Sequence, residues 1–330
     1  MKSEITDGQE LPGVSISADH ALPLVIRPSS TETELITWAS TYRSAIRDLV
    51  HRYGAILLRD FISGSIDTFQ LFMYTVSGRP LKYLERSSPR HEVSDGVYTS
   101  TDYPPDQQIY LHNEQSYNVT WPMLLFFHCL TVPAAGGGTP LADCRNIYGR
   151  ISLPVRERLE ERKYAYVRCL GTGLGFGWEE AFQTPDRSEV ERYCQEHDIE
   201  YRWSGSRSLV TRQVRPVSTQ HPVTGEWTWF NHLTFFNVST LDPAVAKVLL
   251  NAGKDRLPNN TYYGDGRDIE PETLDELHAA YAAESVVVPW RLGDILMVDN
   301  MITAHGREAF MPPREVVVGM CEPYNSSIRS

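Results

Sequence analysis

Apolar residues recur along this chain at two different spacings, and the switches between them mark out its elements. From Thr31 to Gly54, TETELITWASTYRSAIRDLVHRYG keeps apolar side chains three and four positions apart, which predicts a helix. Thr31-x-x-Glu34 offers a cap near its start, and Gly54 stands where it would stop. AILLRDF, directly afterwards, is short and apolar enough for a buried strand, and IDTFQLFMYTV returns to helical spacing. QQIYLHNE, PMLLFFHCLTV, KYAYVRC, EWTWFN, DILMVDN and EVVVGM then read as strands set apart by Gly, Pro and Asp turns. Helical spacing recurs in SLPVRERLEERK, DRSEVERYCQEH and PETLDELHAAYAAE. Strands at irregular intervals, without the βα alternation of a parallel sheet, predict a mainly β fold with peripheral helices. The polar start over residues 1–20 reads as loosely ordered, and residues 21–330 as a single domain without internal repeats.

Composition narrows the class. A chain of 330 residues with 41% hydrophobic content can bury a substantial core. No stretch approaches the roughly 18 consecutive apolar residues of a membrane span, and the first residues lack the apolar core of a secretory signal. A cytoplasmic location is therefore expected. The five cysteines are odd in number, far apart and free of CxxC pairs, so they read as reduced thiols. A formal net charge of −11 argues against nucleic acid or an anionic membrane as partner and leaves a small-molecule substrate as the expectation.

Candidate chemistry concentrates in IYLHNEQSYNVTW, residues 109–121. On a strand, residues i and i+2 point to one side, so His112 and Glu114 would stand together while Asn113 faces away. That is two-thirds of the two-histidine, one-carboxylate face used by non-haem iron oxygenases. Of the ten histidines, only His112 is followed two positions later by an acid. An imidazole hydrogen-bonded to a carboxylate at a sheet rim would produce the same pattern, so the pair alone does not decide. The segment WRLGDILMVDNMITAHGREAFMPPREVVVGM adds His305 after a strand and an Asp-Asn pair, with Arg314 opening the next strand. The planar fork of an arginine there would suit a cofactor with a distal carboxylate.

Taken with those segments, the chain resembles the Fe(II)/2-oxoglutarate-dependent dioxygenases of the taurine dioxygenase (TauD/TfdA-like) family. The likeness is to its SyrP-like branch, near clavaminate synthase and asparagine oxygenase. It runs from about residue 50 through VYTSTDYPPDQQIYLHNEQSYNVTWPMLLFFHC, AAGGGTPLADCRNIY, TRQVRPVSTQHPVTGEWTWFNHLTFFNVSTL and TYYGDGRDIEPETL, in the family's order. The resemblance implies a double-stranded β-helix, or jelly roll. It implies that His112, Glu114 and His305 bind Fe(II), that Thr139 and Arg314 hold the C5 carboxylate of 2-oxoglutarate, and that O2 is a co-substrate. It further implies hydroxylation, or desaturation or cyclisation, of an amino acid or amino-acid-derived metabolite in natural-product biosynthesis. Val316, Val317 and Val318 occupy the region where taurine-type members often carry a second arginine, which disfavours a sulfonate substrate.

Other residues carry plainer expectations. Asp143 and Arg145 would form an ion pair at a loop edge, and Asp299 and Asn300 would orient the His305 strand through hydrogen bonds. Asn231, a polar residue in the apolar run WTWFNHLTF, is either substrate-facing or a satisfied core amide. His232 beside it lacks a following arginine, which favours His305 as the third ligand. Arg202, Arg207, Arg212 and Arg215 would supply a basic face if the substrate were tethered to an acidic carrier protein, though a free substrate is preferred. Two other classes remain open on the residues: a zinc hydrolase with a His-Glu-His site, and a jelly-roll binding protein without catalysis.

Overall fold

The computed structural model describes residues 11–17, 22–81, 91–100, 103–173, 175, 177–205, 207–251, 253 and 257–328. Its centre is an eight-stranded sheet in the order Val14–Ser17, Leu24–Pro28, Ala55–Leu58, Ile295–Asp299, Thr120–Thr131, Glu315–Asn325, Val97–Thr99, Glu92–Ser94. A second, four-stranded sheet has the order Val286–Val288, Thr139–Asp143, Thr303–Arg307, Ile109–His112. The two sheets pack face to face as a jelly roll. The expected fold class is what the chain adopts.

The apolar runs of the sequence are explained by this sandwich, because the large sheet is covered on both sides. Along Thr120–Thr131, Leu124 and Phe126 face a cluster with the helices, while Leu125, Phe127 and Cys129 face the four-stranded sheet. Ile295 and Met297 divide from Leu296 and Val298 in the same way. Successive strand side chains point to opposite faces, so a doubly covered strand reads as a continuous apolar run instead of an alternation.

The helices Leu35–Thr41, Arg43–Tyr53 and Ile66–Ser77 form the outer layer on the large sheet. The single helix expected over Thr31 to Gly54 is two, meeting at Tyr42. The Thr41 hydroxyl turns back to the Thr37 carbonyl at 2.9 Å, a bond that competes with the helical ladder and bends it. Glu34, not Thr31, caps the first helix, accepting from the Ile36 and Thr37 amides at 2.9 and 2.7 Å. Gly54 ends the second helix at φ +78°, where any side chain would run into Thr303 and Ile302. Its carbonyl accepts from the Asp299 amide at 2.9 Å, which ties this helix end to the strand leading into the site.

Two differences from the sequence expectations bear on function. Val14–Ser17, within the start expected to be loosely ordered, is an edge strand paired with Leu24–Pro28; residues 1–10 and 18–20 of that start lie outside the described residues. EWTWFN yields only a two-residue strand, Trp227–Thr228, and the chain from Trp229 to Phe236 runs through turns. A third sheet, in the order Glu200–Ser204, Ser208–Arg215, Tyr164–Leu170, Asn259–Tyr263, packs beside these turns. Among the described residues no helix is long and apolar enough to cross a membrane.

Candidate active site

His112 closes the strand Ile109–His112, and His305 lies directly opposite it on the paired strand Thr303–Arg307. Gly306 permits that approach, since a Cβ there would sit 2.5 Å from the Ile109 carbonyl oxygen. The two imidazole centroids are 4.5 Å apart. His112 Nδ1 lies 2.9 Å from the Tyr110 carbonyl. A carbonyl can only accept, so Nδ1 carries the proton and Nε2 is the nitrogen with ligand character.

Glu114 reaches the same place by a route the sequence did not show. The strand ends at His112, and Glu114 starts a turn in which Gln115 has φ +55°. Strand alternation therefore does not align the pair. Asn300 does: its Oδ1 accepts the Glu114 amide at 2.7 Å and its Nδ2 donates to the Glu114 carbonyl at 2.9 Å and to the Pro122 carbonyl at 2.8 Å. Asn113 does face away, donating to the Asn300 carbonyl at 2.7 Å. One ligand atom from each of His112, Glu114 and His305 falls within 4.8 Å of the others. Asn300, expected to brace the His305 strand, instead clamps the Glu114 turn.

Beside this cluster is a recess lined by His112, His305, Phe127, Thr139, Arg307 and Arg314 among others. Arg314 donates to the Gly137 carbonyl at 2.9 Å and the Ser100 hydroxyl at 3.2 Å. No carboxylate among the described residues pairs with it. Burial, with Arg307 nearby as a like charge, pulls its guanidinium down to about 10. A buried cation without a counter-charge is costly unless an anion comes to it. Thr139 Oγ1 accepts from Trp290 Nε1 at 3.0 Å, which leaves its own hydroxyl proton for a ligand. Two imidazoles and a carboxylate beside an unpaired arginine fit Fe(II) and a dicarboxylic keto acid. Ser100 and Trp290 were not legible as site residues, because nothing local in sequence marks them.

On the other side of the ligand cluster opens a cavity of about 430 Å³, walled in part by Tyr110, Glu114, Phe235 and Phe236. Asn231 is not on its wall. Its Nδ2 donates to the Val217 carbonyl at 2.7 Å and its Oδ1 accepts the Leu233 amide at 2.9 Å, in a fully packed position. The substrate-facing expectation is corrected: Asn231 is a core amide spent on folding the turn. His232 lies 5.6 Å from His112, ring to ring, with Nδ1 bonded to Ser116 at 2.6 Å. Burial, followed by the influence of His112, pushes it well below the usual histidine range. It stands outside the ligand cluster. Asp143 and Arg145 form the expected local ion pair, at 2.7 Å, and Asp143 also caps the helix Cys144–Arg150.

A jelly roll with two histidines and a carboxylate at its mouth, next to a recess holding an unpaired arginine, has the architecture of a non-haem iron oxygenase that uses 2-oxoglutarate. Residues 28–321 match the model of the taurine catabolism dioxygenase TauD, TfdA family, and the chain belongs to that family. It is an Fe(II)- and 2-oxoglutarate-dependent dioxygenase. Dapdiamide synthesis protein DdaC of Enterobacter agglomerans is 33% identical over 279 residues, 84% of this chain and 85% of that one. A clavaminate synthase-like protein of Arabidopsis thaliana is 29% identical over 321 residues, 93% and 91% of the two chains. Among solved structures, PvcB, described as an Fe, alpha-ketoglutarate dependent oxygenase from an isonitrile synthetic pathway, shares the fold. It has a TM-score of 0.58 at 14% identity, over 97% of this chain and 96% of that one. A taurine dioxygenase from Burkholderia xenovorans shares it at a TM-score of 0.53 and 15% identity, over 94% and 89%. With the family established, the zinc hydrolase and non-catalytic alternatives fall away.

Proposed function

We propose that His112, Glu114 and His305 are the Fe(II) ligands, that Arg314 and Thr139 hold the far carboxylate of 2-oxoglutarate, and that the substrate is an amino acid or amino-acid-derived metabolite of natural-product biosynthesis. The observation that carries the reading is the convergence of three ligand atoms within 4.8 Å beside a recess whose buried arginine has no acidic partner among the described residues. Bound together, the iron and 2-oxoglutarate supply oxidative decarboxylation to succinate and carbon dioxide coupled to oxidation of a substrate C–H bond. The protein's own part is positional. The Tyr110 carbonyl fixes the His112 tautomer, Asn300 holds the Glu114 main chain, and Arg314 with Thr139 supplies donors at the depth of the recess. Phe235 and Phe236 line the adjoining cavity with apolar surface that keeps water from the reacting carbon.

The substrate class is supported by the relative whose name records dapdiamide synthesis. A carrier-docking face built from the arginine run finds no support. Arg215 is buried and donates to the carbonyls of Tyr117, Val214, His197 and Asp198, while Arg212 pairs with Glu200 at 2.6 Å and with the Gly264 carbonyl. Only Arg202 and Arg207 of the four are left for the surface, too few to attract an acidic domain to a chain of net charge −11. The test is anaerobic addition of Fe(II) and 2-oxoglutarate, which should give the weak visible charge-transfer band of a chelated keto acid. Oxygen should then release succinate, faster with the right amino-acid derivative present. No band, or a band unaffected by both His112→Ala and His305→Ala, rejects the ligand assignment.

A further inference from the structure

A second cavity, of about 530 Å³, adjoins the first and exceeds anything a free amino acid requires. Its walls are Leu111 and Pro140 of the four-stranded sheet, Thr234 of the turn region, and His278, Tyr281 and Ala282 of the helix Pro271–Glu284. Gln108, Ile109 and Tyr110 border both cavities on one side, and Phe235 and Thr240 border both on the other. The two spaces are therefore lobes of one cleft between the same two segments, with His112 and Glu114 in the first lobe only.

The strand under that cleft, Ile109–His112, is the edge of its sheet. An edge strand turns alternate main-chain N–H and C=O groups outward, which is the template that extended peptide-like ligands pair with. The chemistry of the second lobe agrees. No carboxylate is among the described residues lining it, and its polar groups are neutral hydroxyls, the Gln108 carboxamide and an imidazole, apart from Arg307. Arg307 is nearly fully buried, with its terminal nitrogens given to the carbonyls of Tyr103, Pro104 and Gln107 at 2.7 to 3.1 Å. Its Nε is buried without a partner. Tyr281 is held to Thr234, and His278 Nε2 lies 3.3 Å from the Ser239 hydroxyl. Burial, the largest influence on it, pushes His278 below the usual histidine range. Such a surface disfavours a free ammonium group and suits amide N–H and C=O groups between apolar walls.

We infer that the substrate is an amino acid bearing an amide-linked extension, acyl or peptidyl, laid along the Ile109–His112 edge with its reactive carbon in the first lobe and its extension in the second. This rests on the oxygenase reading and narrows its substrate. The extension would be recognised mainly through main-chain hydrogen bonds, so its amide matters more than its side chains.

The experiment uses the full chain loaded with Mn(II), as an oxygen-inert stand-in for iron, and 2-oxoglutarate. Two probe sets are titrated by ligand-observed NMR: free amino acids, and the same amino acids as N-acetyl amides. The amides should bind at least about tenfold more tightly than their free counterparts. Ala282→Trp, at an exposed helix position facing the second lobe, should erase that advantage, and Ser285→Phe, exposed on the same wall, provides a second filling variant should the first lose its fold by circular dichroism. Equal binding of the two sets, binding of neither, or an advantage that survives both filled-lobe variants overturns the inference. The Fe(II)/2-oxoglutarate band separates the layers: a band without amide preference rejects only the extended substrate, and no band rejects the oxygenase reading beneath it.

Discussion

Among its described residues the protein contains two clusters of two histidines and a carboxylate, and they differ in nearly every respect except residue type. His112, Glu114 and His305 face a cavity. His51, His221 and Asp299 are sealed in the interior, with Asp299 Oδ2 2.7 Å from His51 Nδ1 and 3.0 Å from His221 Nε2. In the buried cluster the protons are already allotted. His221 Nδ1 accepts the Val223 and Thr224 amides at 3.2 and 3.1 Å, which puts the ring proton on Nε2, beside Asp299. Asp299 Oδ1 accepts the Met301 and Ile302 amides at 3.0 and 3.1 Å. A cation there would have to displace a proton from a ring whose other nitrogen is occupied as an acceptor. In the open cluster the His112 proton is directed away, to Tyr110, and the lone pair inward. The same residues make a structural knot in one place and a ligand set in the other, and the second ring nitrogen decides which.

The largest expected contrast comes from removing one histidine of each kind. His305→Ala should eliminate the Fe(II)/2-oxoglutarate band while leaving the fold intact by circular dichroism. His221→Ala should keep the band in whatever fraction remains folded and lower the melting temperature. A lost band in a well-folded His221→Ala would mean that the buried cluster also holds metal.

Next in size is Asp299, which four donors surround. Burial pushes its carboxyl up, but the hydrogen bonds and charges of His221 and His51 overcome this and hold it below the usual range. Asp299→Asn removes the buried charged acceptor that both imidazoles face and should cost about 3 to 5 kcal/mol in chemical denaturation at pH 7. A carboxyl depressed on folding contributes stability above its unfolded pKa of about 3.9 and loses it as pH falls through the lower folded value. The deficit of the variant should therefore shrink below about pH 4. An equal deficit at acid and neutral pH would show that the charge is not what Asp299 contributes.

Arg314 extends the open cluster to its cofactor. Loss of a charged, buried contact in Arg314→Met should weaken 2-oxoglutarate by about 2 to 4 kcal/mol, read by titration of the visible band. Unchanged affinity would place the carboxylate contact elsewhere in the recess. Asn300→Ala sharpens the comparison most finely, because Asn300 follows Asp299 of the buried knot and clamps Glu114 of the open one. Its loss should weaken metal binding by roughly 10- to 100-fold through a loosened Glu114 turn. Equilibrium dialysis against Fe(II) under nitrogen measures it, and native metal affinity in that variant would remove Asn300 from the site.

Much of the open cluster was readable without coordinates. His112 and Glu114 stand two positions apart, and His305 precedes Arg314 across a short turn, so the local patterns carried the ligand candidates even though the reason offered for the first pair was incomplete. Alternation along a strand put His112 and Glu114 forward together, but the strand stops at His112 and a clamp from Asn300 does the aligning. Asn231 had two readings for a related reason: a polar residue between apolar neighbours reads the same whether its amide faces a ligand or folds a turn, and the structure shows the second. The buried knot was invisible, since His51 and Asp299 are 248 positions apart and neither neighbourhood has a distinguishing pattern.

By itself, the sequence determined the mainly β architecture and its outer helices, because strand and helix periodicity are local properties, and its short-range spacing with the family resemblance nominated the residues for iron and 2-oxoglutarate. Only the tertiary structure decided which lone pairs and charges stay unspent. His112 opposite His305, Arg314 without an acid among the described residues, Asn231 bonded within its turn, the His51–Asp299–His221 contacts, and a two-lobed cleft beside an edge strand all depend on partners brought from distant parts of the chain. Hydrogen-bonding capacity is consumed by whatever folds against it, and that is fixed by packing and not by neighbours in sequence.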